Sequence, residues 1–368
     1  MQWHFWHLDT LGYHLTNVVL HVVSALLVWR LLAQFHLRYA WLGGLLFAVH
    51  PVVVESVAWI SELKNTLSLP PFLLAMSCWI DFEERGRRRD YLLALALFTV
   101  AMLCKISMAL FPLVMLLYAW WRRGRVGGRD LARAAPFFAV SLALGMLTVL
   151  AGAWHREAQL LSPAGPDIGG PLLRVALAGQ ALAFYFAKAV WPAGLVPIYP
   201  QWPVHAGSPL AYLPWLVLAA VLAWLWTRRA GWGRHALLGL GFFVINLLPF
   251  LGFQPVSFMG FTWVMDHFLY LPLIGLIGLA VAALGQIEDG LAPAGRRVLA
   301  VLVALIFAVL ALESSAYAAV FAGPDVLWSY TLARNPHSWL AHNNLGNACF
   351  ATGRLPDAHR AVPGRVAR

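Results

Sequence analysis

Apolar segments separated by short polar runs extend along almost the whole chain, and their lengths predict a series of membrane-spanning helices. A span needs about 20 mostly apolar residues. The basic runs between these segments mark cytoplasmic loops, because such loops carry excess lysine and arginine. The alternation then predicts about ten transmembrane helices, at residues 12–33, 39–49, 66–81, 91–104, 106–121, 135–153, 209–227, 236–252, 269–285 and 298–312.

The composition agrees with an all-α polytopic membrane protein. Hydrophobic residues make up 61% of the 368 residues and charged residues 11%, whereas soluble proteins carry about 25% charged residues. The net charge of +10 would suggest a nucleic-acid partner in a soluble protein. Here the arginines lie in short runs between apolar segments, so we expect the lipid bilayer as partner and no nucleic acid. The cysteines show no spacing typical of zinc sites or disulfide frameworks.

One polar segment, Leu45–Ser68, interrupts the apolar pattern with the sequence LLFAVHPVVVESVAWISELKNTLS. Ionisable residues at membrane depth are rare unless they serve a site or a water-filled cavity. Glu55 and Glu62 are seven residues apart, so one amphipathic helix can carry both carboxylates on one face. A surface helix with solvated carboxylates is the alternative explanation. The polar residues of the segment are His50, Glu55, Glu62, Lys64 and Asn65.

Further polar residues fall on the same external side of the predicted topology, although that topology uses the basic runs alone. They are Asp9, Lys105, Asp266 and His267, with Tyr270 at the entry to the following span. This convergence predicts a single site at the outer membrane surface. Non-functional explanations stay open for three of the polar residues. Asp9 can simply be solvated in a loop, Lys64 can extend its ammonium to the membrane surface from a helix end, and Asp266 can form a structural ion pair with a nearby cation.

Two segments outside the spans have a pattern of their own. Residues 154–208 are predicted to be external, and the stretch 171–191 within them predicts a helix on the membrane surface, with a further pair of spans as the alternative. From about Ala322 the chain is more polar, and Asn335-Pro336 closes one helix. The spacing of small and apolar residues beyond it fits a tetratricopeptide repeat.

These patterns predict two domains. Residues 1–321 form the transmembrane domain, and residues 322–368 form a short external segment of one to one and a half repeats. Repeat arrays need about three units to bury a core. We therefore expect this segment to be cut short or to dock on the membrane domain.

Five stretches occur in the order of a known family. They are GYHLTNVVLH (12–21), HPVVVESVAWISELKNTLS (50–68), LCKISMALFPLVMLL (103–117), AVWPAGLVPIYP (189–200) and MDHFLYLPLIGL (265–276). The chain resembles a bacterial-type relative of the transmembrane and tetratricopeptide-repeat-containing O-mannosyltransferase-like family, which is of the GT-C type. It departs from the family pattern in starting after the family's first helix and acidic loop, so that Asp9 is the acid left there. Asn65 stands where many relatives have Asp, and His267 where many have Arg.

The resemblance implies an integral membrane glycosyltransferase that moves mannose or another hexose from polyprenyl phosphate to an external hydroxyl, with the repeats holding an acceptor protein. Such a transfer needs a carboxylate base and donors that stabilise the departing phosphate. The implied catalytic residues are Asp9, Glu55 and Asp266. The implied phosphate-binding residues are Lys64, Lys105 and His267. The implied supporting residues are His50, Glu62, Asn65 and Tyr270.

The same resemblance requires no cofactor and is compatible with a divalent metal. It implies a multi-pass protein of the bacterial inner membrane with periplasmic repeats, or of the endoplasmic reticulum membrane in a eukaryote. Two other functions compete with the enzyme. One is a non-catalytic membrane scaffold that presents the repeats, and the other is a transporter or lipid flippase, which would show inverted repeats and charges at the bilayer midplane.

Overall fold

The computed structural model describes residues 4, 6–7, 9–158 and 168–354, and all regular secondary structure in these ranges is helical. Short 3₁₀ turns connect several of the α-helices. The α-helices are α1 (Thr10–Gln34), α2 (Ala40–Val49), α3 (Val54–Ala58), α4 (Leu63–Arg85), α5 (Arg88–Cys104), α6 (Phe111–Arg123), α7 (Gly128–Ala158), α8 (Pro171–Val190), α9 (Leu213–Thr227), α10 (Trp232–Leu247), α11 (Leu273–Asp289), α12 (Pro293–Ala318), α13 (Pro324–Arg334) and α14 (Trp339–Ala351). The predicted all-α polytopic membrane protein is confirmed.

Each of the ten predicted spans falls on a helix. Within the described residues, six helices are long and apolar enough to cross a bilayer, namely α1, α7, α8, α9 with its preceding turn, α10 and α12. The pair α2 and α3 would add a seventh span across a bend of 53°. Helix α4 is more polar, but it buries much of its surface inside the bundle, including Phe72, Trp79 and Ile80. Contact with other helices rather than lipid explains its composition.

Close packing of helices and rings holds the bundle together. The backbones of α10 and α11 touch at Gly239 and Gly275, where a Cβ atom on Gly239 would lie 2.7 Å from the Gly275 carbonyl oxygen. Small residues allow such close approach between membrane helices. Elsewhere in the bundle the ring of Phe111 stacks on Phe98 and on Phe137, with centroids 5.1 and 5.7 Å apart.

Helix α8 corresponds to the predicted surface helix. By length and composition it could also cross a membrane. Its beginning lies beside the turn before α9, since the Tyr212 hydroxyl donates to the Leu172 carbonyl at 3.3 Å. Its end lies beside the end of α2, where the ring of His50 contacts the Ala189 carbonyl at 3.1 Å. The first contact is with the beginning of the predicted span 209–227, and the second is with His50, where the predicted span 39–49 ends on the external side. The surface position of α8 stays a prediction.

Helices α13 and α14 form an antiparallel pair that docks on the membrane domain. Helix α13 ends at Arg334, as Asn335-Pro336 predicts. The Tyr330 hydroxyl donates to the Leu195 carbonyl at 3.0 Å, and the Asn335 amide donates to the Ile198 carbonyl at 3.2 Å. Identification of this pair as a tetratricopeptide repeat stays a prediction, and residues 355–368 of the predicted segment lie outside the described residues.

Candidate active site

The site begins at a helix break between α2 and α3. Helix α2 ends at Val49, which leaves carbonyl groups that lipid cannot solvate. The His21 Nε2–H donates to the Ala48 carbonyl at 3.2 Å, and the Ser314 hydroxyl donates to the Val49 carbonyl at 2.7 Å. His50 accepts from the Val52 N–H through Nδ1 at 3.3 Å and donates from Nε2 to the Ala189 carbonyl. His50 therefore holds the break in place and has no direct contact with the carboxylates described below.

The predicted amphipathic helix through Glu55 and Glu62 is wrong. Helix α3 ends at Ala58, Trp59 is extended with φ −83° and ψ 111°, and a 3₁₀ turn follows before α4. The break turns the Trp59 ring toward Trp328, with centroids 6.1 Å apart, so tertiary packing overrides the local helical pattern. The alternative of a solvated surface helix is wrong for Glu55, whose side chain has no exposed area.

Glu55 lies beneath His267 and accepts two hydrogen bonds from it. The His267 backbone N–H donates to Oε2 at 3.2 Å, and its ring Nδ1 lies 2.7 Å from Oε1. A carboxylate accepts, so Nδ1 carries a proton and Nε2 is directed away from Glu55. That nitrogen lies 3.7 Å from Oε2 of Glu62. The imidazole of His267 thus lies between the carboxylates of Glu55 and Glu62. These residues are only seven positions apart, but the helix break between them places their carboxylates on opposite sides of the ring.

Glu62 makes no hydrogen bond to His267 at this distance, but Asn65 links it to Lys105. The Asn65 amide nitrogen donates to Glu62 Oε2 at 2.7 Å, and the Asn65 amide oxygen accepts from the Lys105 ammonium. We call Glu55, His267, Glu62, Asn65 and Lys105 the polar chain. The exposed ammonium of Lys64 lies 3.4 Å from Glu62 Oε1, at the outer edge of this chain.

Lys105 is a cation without a carboxylate partner in the described part of the molecule. Its Nζ lies 5.3 Å from the ring centroid of Phe250 and 5.7 Å from that of Phe268. Burial lowers the pKa of the Lys105 ammonium to about 8. The position suits a single negative charge on a ligand, since the rings and Asn65 leave the charge unneutralised.

Asp266 is buried beside the polar chain and is saturated by two tyrosines. The Tyr199 hydroxyl donates to Oδ1 at 2.9 Å and the Tyr317 hydroxyl to Oδ2 at 3.3 Å. Burial, followed by the nearby charge of Glu55, raises the pKa of Asp266 well above its usual range. Sequence reasoning missed both tyrosines. Tyr199 lies within the stretch 189–200 that carries the resemblance, whereas nothing in the sequence around Tyr317 marks it.

The structure does not bring every predicted residue into the polar chain. Asp9 is exposed and caps α1, where its carboxylate accepts from the Leu11 N–H at 3.0 Å. The Tyr270 hydroxyl bonds to the Nδ1 atom of His21 at 2.9 Å and so supports the helix break. Among the residues that the structure describes, no group of three His, Cys, Asp or Glu side chains is arranged to hold a metal ion.

An apolar crevice of about 440 Å³ lies between α1 and α12, with the α2–α3 break as its floor. Its walls include Val18 of α1, Val57 of α3 and Ala318 of α12. The outward side chains of α1 and α12 beside it, such as Leu15 and Leu312, are exposed and apolar. The crevice therefore lies between two helices whose outward faces are apolar, next to the helix that carries Glu55.

Fold and site together define a polytopic helical membrane protein with a buried chain of polar and ionisable groups next to an apolar crevice. Residues 7–153 match the family described as dolichyl-phosphate-mannose-protein mannosyltransferase. This match confirms the resemblance to the GT-C O-mannosyltransferase-like family over that part of the chain, and it supports a membrane glycosyltransferase of the mannosyltransferase type. The matched region contains Glu55, Glu62, Asn65 and Lys105. No curated protein and no solved structure matches the chain.

Proposed function

We propose that this protein transfers a hexose, such as mannose, from a polyprenyl phosphate to a hydroxyl acceptor at the external membrane surface. The observation that carries the proposal is the polar chain. In it two carboxylates flank His267, and Asn65 links the second carboxylate to a lysine that has no carboxylate partner among the described residues. All of these residues except His267 lie in the region that matches the mannosyltransferase family. Sugar transfer from a lipid phosphate needs these two kinds of group, a base for the acceptor and a cation for the phosphate.

Glu62 is the carboxylate that we assign to the acceptor hydroxyl. Glu55 and Asp266 are completely buried, and both oxygens of each already accept hydrogen bonds. Glu62 instead lies beside the exposed Lys64 and retains 8% exposure of its side chain. We therefore assign positioning roles to Glu55 and Asp266. Glu55 holds His267, and Asp266 fixes the segment before α11 through its hydrogen bonds from two tyrosines.

Lys105 is the group that we assign to the donor phosphate. In the transfer, the acceptor oxygen bonds to the anomeric carbon while its proton passes to Glu62. The bond between that carbon and the phosphate oxygen breaks, and the electron pair leaves with the polyprenyl phosphate. The ammonium of Lys105 stabilises the second negative charge that develops there, and Asn65 fixes its position relative to Glu62.

The crevice between α1 and α12 accommodates the polyprenyl chain in this proposal. Its apolar lining and its position on α3 support that role, because the reacting phosphate must stay within reach of the helix break. The helix pair α13–α14 would hold the acceptor protein. It contacts Trp59 through Trp328, directly after the helix that carries Glu55, and it exposes the large side chains of Trp339 and Phe350.

The test is transfer of radiolabelled mannose from polyprenyl phosphate by purified protein in lipid vesicles. The folded wild type should label a hydroxyl-bearing acceptor peptide, and Glu62→Gln should reduce the rate by about 10²–10⁴-fold, the usual range for loss of a general base. Glu288→Gln is the matched control, since Glu288 lies at the predicted cytoplasmic end beside Arg38. Absence of transfer by a folded wild type with every acceptor and sugar tried would refute the enzyme and leave the scaffold as the function.

A further inference from the structure

The turn between α9 and α10 carries three arginines and has no role in the proposed transfer. Residues 228–234 read RRAGWGR and include no acidic residue. Helix α10 has 16 residues and is therefore about 24 Å long. It leads from this turn to the end of the bundle at which Phe250 lies against Lys105. The turn and the polar chain thus lie at opposite ends of the molecule.

A second basic turn lies beside this one. The Trp121 Nε1–H donates to the Nδ1 atom of His235 at 3.0 Å. Trp121 directly precedes Arg122 and Arg123 at the end of α6, so the turns that follow α6 and α9 meet at one end of the bundle. Because basic runs mark cytoplasmic loops, the predicted topology places this end at the cytoplasmic membrane surface.

Backbone hydrogen bonds make the α9–α10 turn compact. The Arg228 carbonyl accepts from the N–H of Gly231 at 3.0 Å and from the N–H of Gly233 at 3.2 Å. A Cβ atom on Gly233 would lie 2.7 Å from the Cβ atom of Arg228, so the beginning of the Arg228 side chain lies directly against the Gly233 backbone. Arg234 follows Gly233 in the chain. The turn therefore fixes the positions from which Arg228 and Arg234 extend.

The third arginine, Arg229, is held on the face of an indole. Its guanidinium lies 4.7 Å from the ring centroid of Trp226, and its Nη1 donates to the Trp226 carbonyl at 2.9 Å. Trp226 in turn stacks on Trp120 of α6, with centroids 5.5 Å apart. Trp224 and Trp232 contact each other edge to face across the turn at 5.1 Å and are both about half exposed. Tryptophan is enriched where a membrane meets water, which agrees with a position at the interface.

The charge of these three arginines is not neutralised within the described part of the chain, since none of them forms an ion pair with a described carboxylate. Other basic turns contain such pairs. Arg87 lies 2.8 Å from Asp90, and Arg38 lies 2.9 Å from Asp289. A topology signal requires positive charge, but it does not require arginines that are held by a compact turn and an indole. The arrangement therefore calls for an anionic partner.

The chemistry of the membrane surface identifies that partner. A guanidinium binds phosphate oxygens through paired N–H donors, and the cytoplasmic leaflet contains anionic lipids that attract basic segments next to membrane helices. We propose that the α9–α10 turn binds the headgroup of an anionic phospholipid at the predicted cytoplasmic surface. The phosphate lies on the three arginines, and the glycerol and upper acyl chains lie against the indoles of Trp224 and Trp232. A zwitterionic headgroup binds less well, because its own cation enters the same positive field.

The experiment measures binding of phosphatidylglycerol and of phosphatidylcholine to the delipidated full chain in detergent, by native mass spectrometry. The site variants are Arg228→Gln, Arg229→Gln and Arg234→Gln, made singly and together. The control is a triple variant that removes the same charge from exposed positions in two other basic turns, namely Arg88→Gln, Arg89→Gln and Arg125→Gln. Thermal unfolding without added lipid shows whether each variant is folded.

Each single site variant should weaken binding of phosphatidylglycerol about fivefold, because an arginine near the membrane surface contributes about 1 kcal/mol. The triple site variant should weaken it roughly a hundredfold if these contributions add. The control triple should retain the wild-type affinity, and phosphatidylcholine should bind the wild type more weakly than phosphatidylglycerol does. An equal loss in the control triple would overturn the inference, since binding would then follow net charge alone. Equal binding of the two lipids by the wild type would overturn it as well.

Arg229→Lys separates a fixed headgroup site from a diffuse attraction, because it keeps the charge of the protein. Lysine lacks the planar pair of donors and the stacking surface of arginine. We therefore expect Arg229→Lys to bind phosphatidylglycerol nearly as weakly as Arg229→Gln does, and full wild-type affinity of the folded lysine variant would overturn the inference. No sugar transfer is measured, so the result does not depend on the proposed function.

Discussion

Replacing Glu55 by glutamine tests the contact between α3 and the segment before α11. The carboxylate accepts from two donors of His267, the backbone N–H at 3.2 Å and the ring Nδ1–H at 2.7 Å. Glutamine keeps one carbonyl oxygen but presents an NH₂ group in the other position, so one buried donor loses its acceptor. A buried donor left without its acceptor costs about 1–3 kcal/mol. We expect the contact that positions His267 to lose about 1–3 kcal/mol of stabilisation, which corresponds to roughly 5–150-fold in an equilibrium constant.

The assay measures initial rates of sugar transfer in vesicles and thermal unfolding in detergent on the same preparations. The turnover number should fall by roughly 5–150-fold, by the same arithmetic, while the KM for the lipid donor changes little, because Lys105 and the crevice are intact. Glu288→Gln should match the wild type in rate, because Glu288 lies at the predicted cytoplasmic end beside Arg38. The positioning role is refuted if Glu55→Gln is folded and fully active. It is equally refuted if the loss of rate only follows a loss of folded protein.

Three further predictions concern the phosphate, the helix packing and the C-terminal helix pair. Binding of the lipid phosphodiester should weaken as the pH rises through about 8, because the ammonium of Lys105 loses its proton there. Lys105→Arg should still bind the lipid at pH 9, since arginine stays charged. Equal pH profiles for the two proteins would contradict this prediction. Gly275→Leu should separate α10 from α11 and lower the stability by about 1–3 kcal/mol in thermal unfolding. Gly285→Ala, which meets open space on the same helix, should leave the stability equal or raise it by up to about 1 kcal/mol. Trp328→Ala should reduce the free energy that holds α13 on the bundle by about 3–5 kcal/mol, because a buried indole is lost from its contact with Trp59. Docking at this point is contradicted if the segment between α12 and α13 resists proteolysis as well as in the wild type.

The helices themselves were predictable because apolar run length and basic loops are local properties of the sequence. The span predicted at 236–252 corresponds to α10, and the short apolar run that ends at His50-Pro51 corresponds to α2. Proline disfavours the helical conformation of the residue before it, so the end of α2 was also accessible from the sequence. Helix α4 could be predicted as a helix, but its packing inside the bundle depends on its neighbours.

The convergence of polar residues was predictable in outline but not in its contacts. The predicted topology placed Glu55, Lys105 and His267 on one side of the membrane. It did not predict which of these residues contact one another. The bond between Glu55 and His267 joins residues 212 positions apart, and no periodic pattern specifies such a pair. The extended Trp59 was missed for a similar reason, since the local pattern favours a helix and the competing contact with Trp328 is made by a distant helix.

The end of α2 explains how this buried site keeps its geometry. A bend buried between helices leaves carbonyl groups unpaired, and each costs about 1–3 kcal/mol unless the protein supplies a donor. His21 of α1 and Ser314 of α12 supply two such donors, and neither helix contributes a residue to the polar chain. The direction in which α3 presents Glu55 therefore depends on helices that the reacting groups do not contact. Preorganisation of the polar chain is thus a property of the whole bundle, and it follows from the requirement to satisfy the backbone at one break.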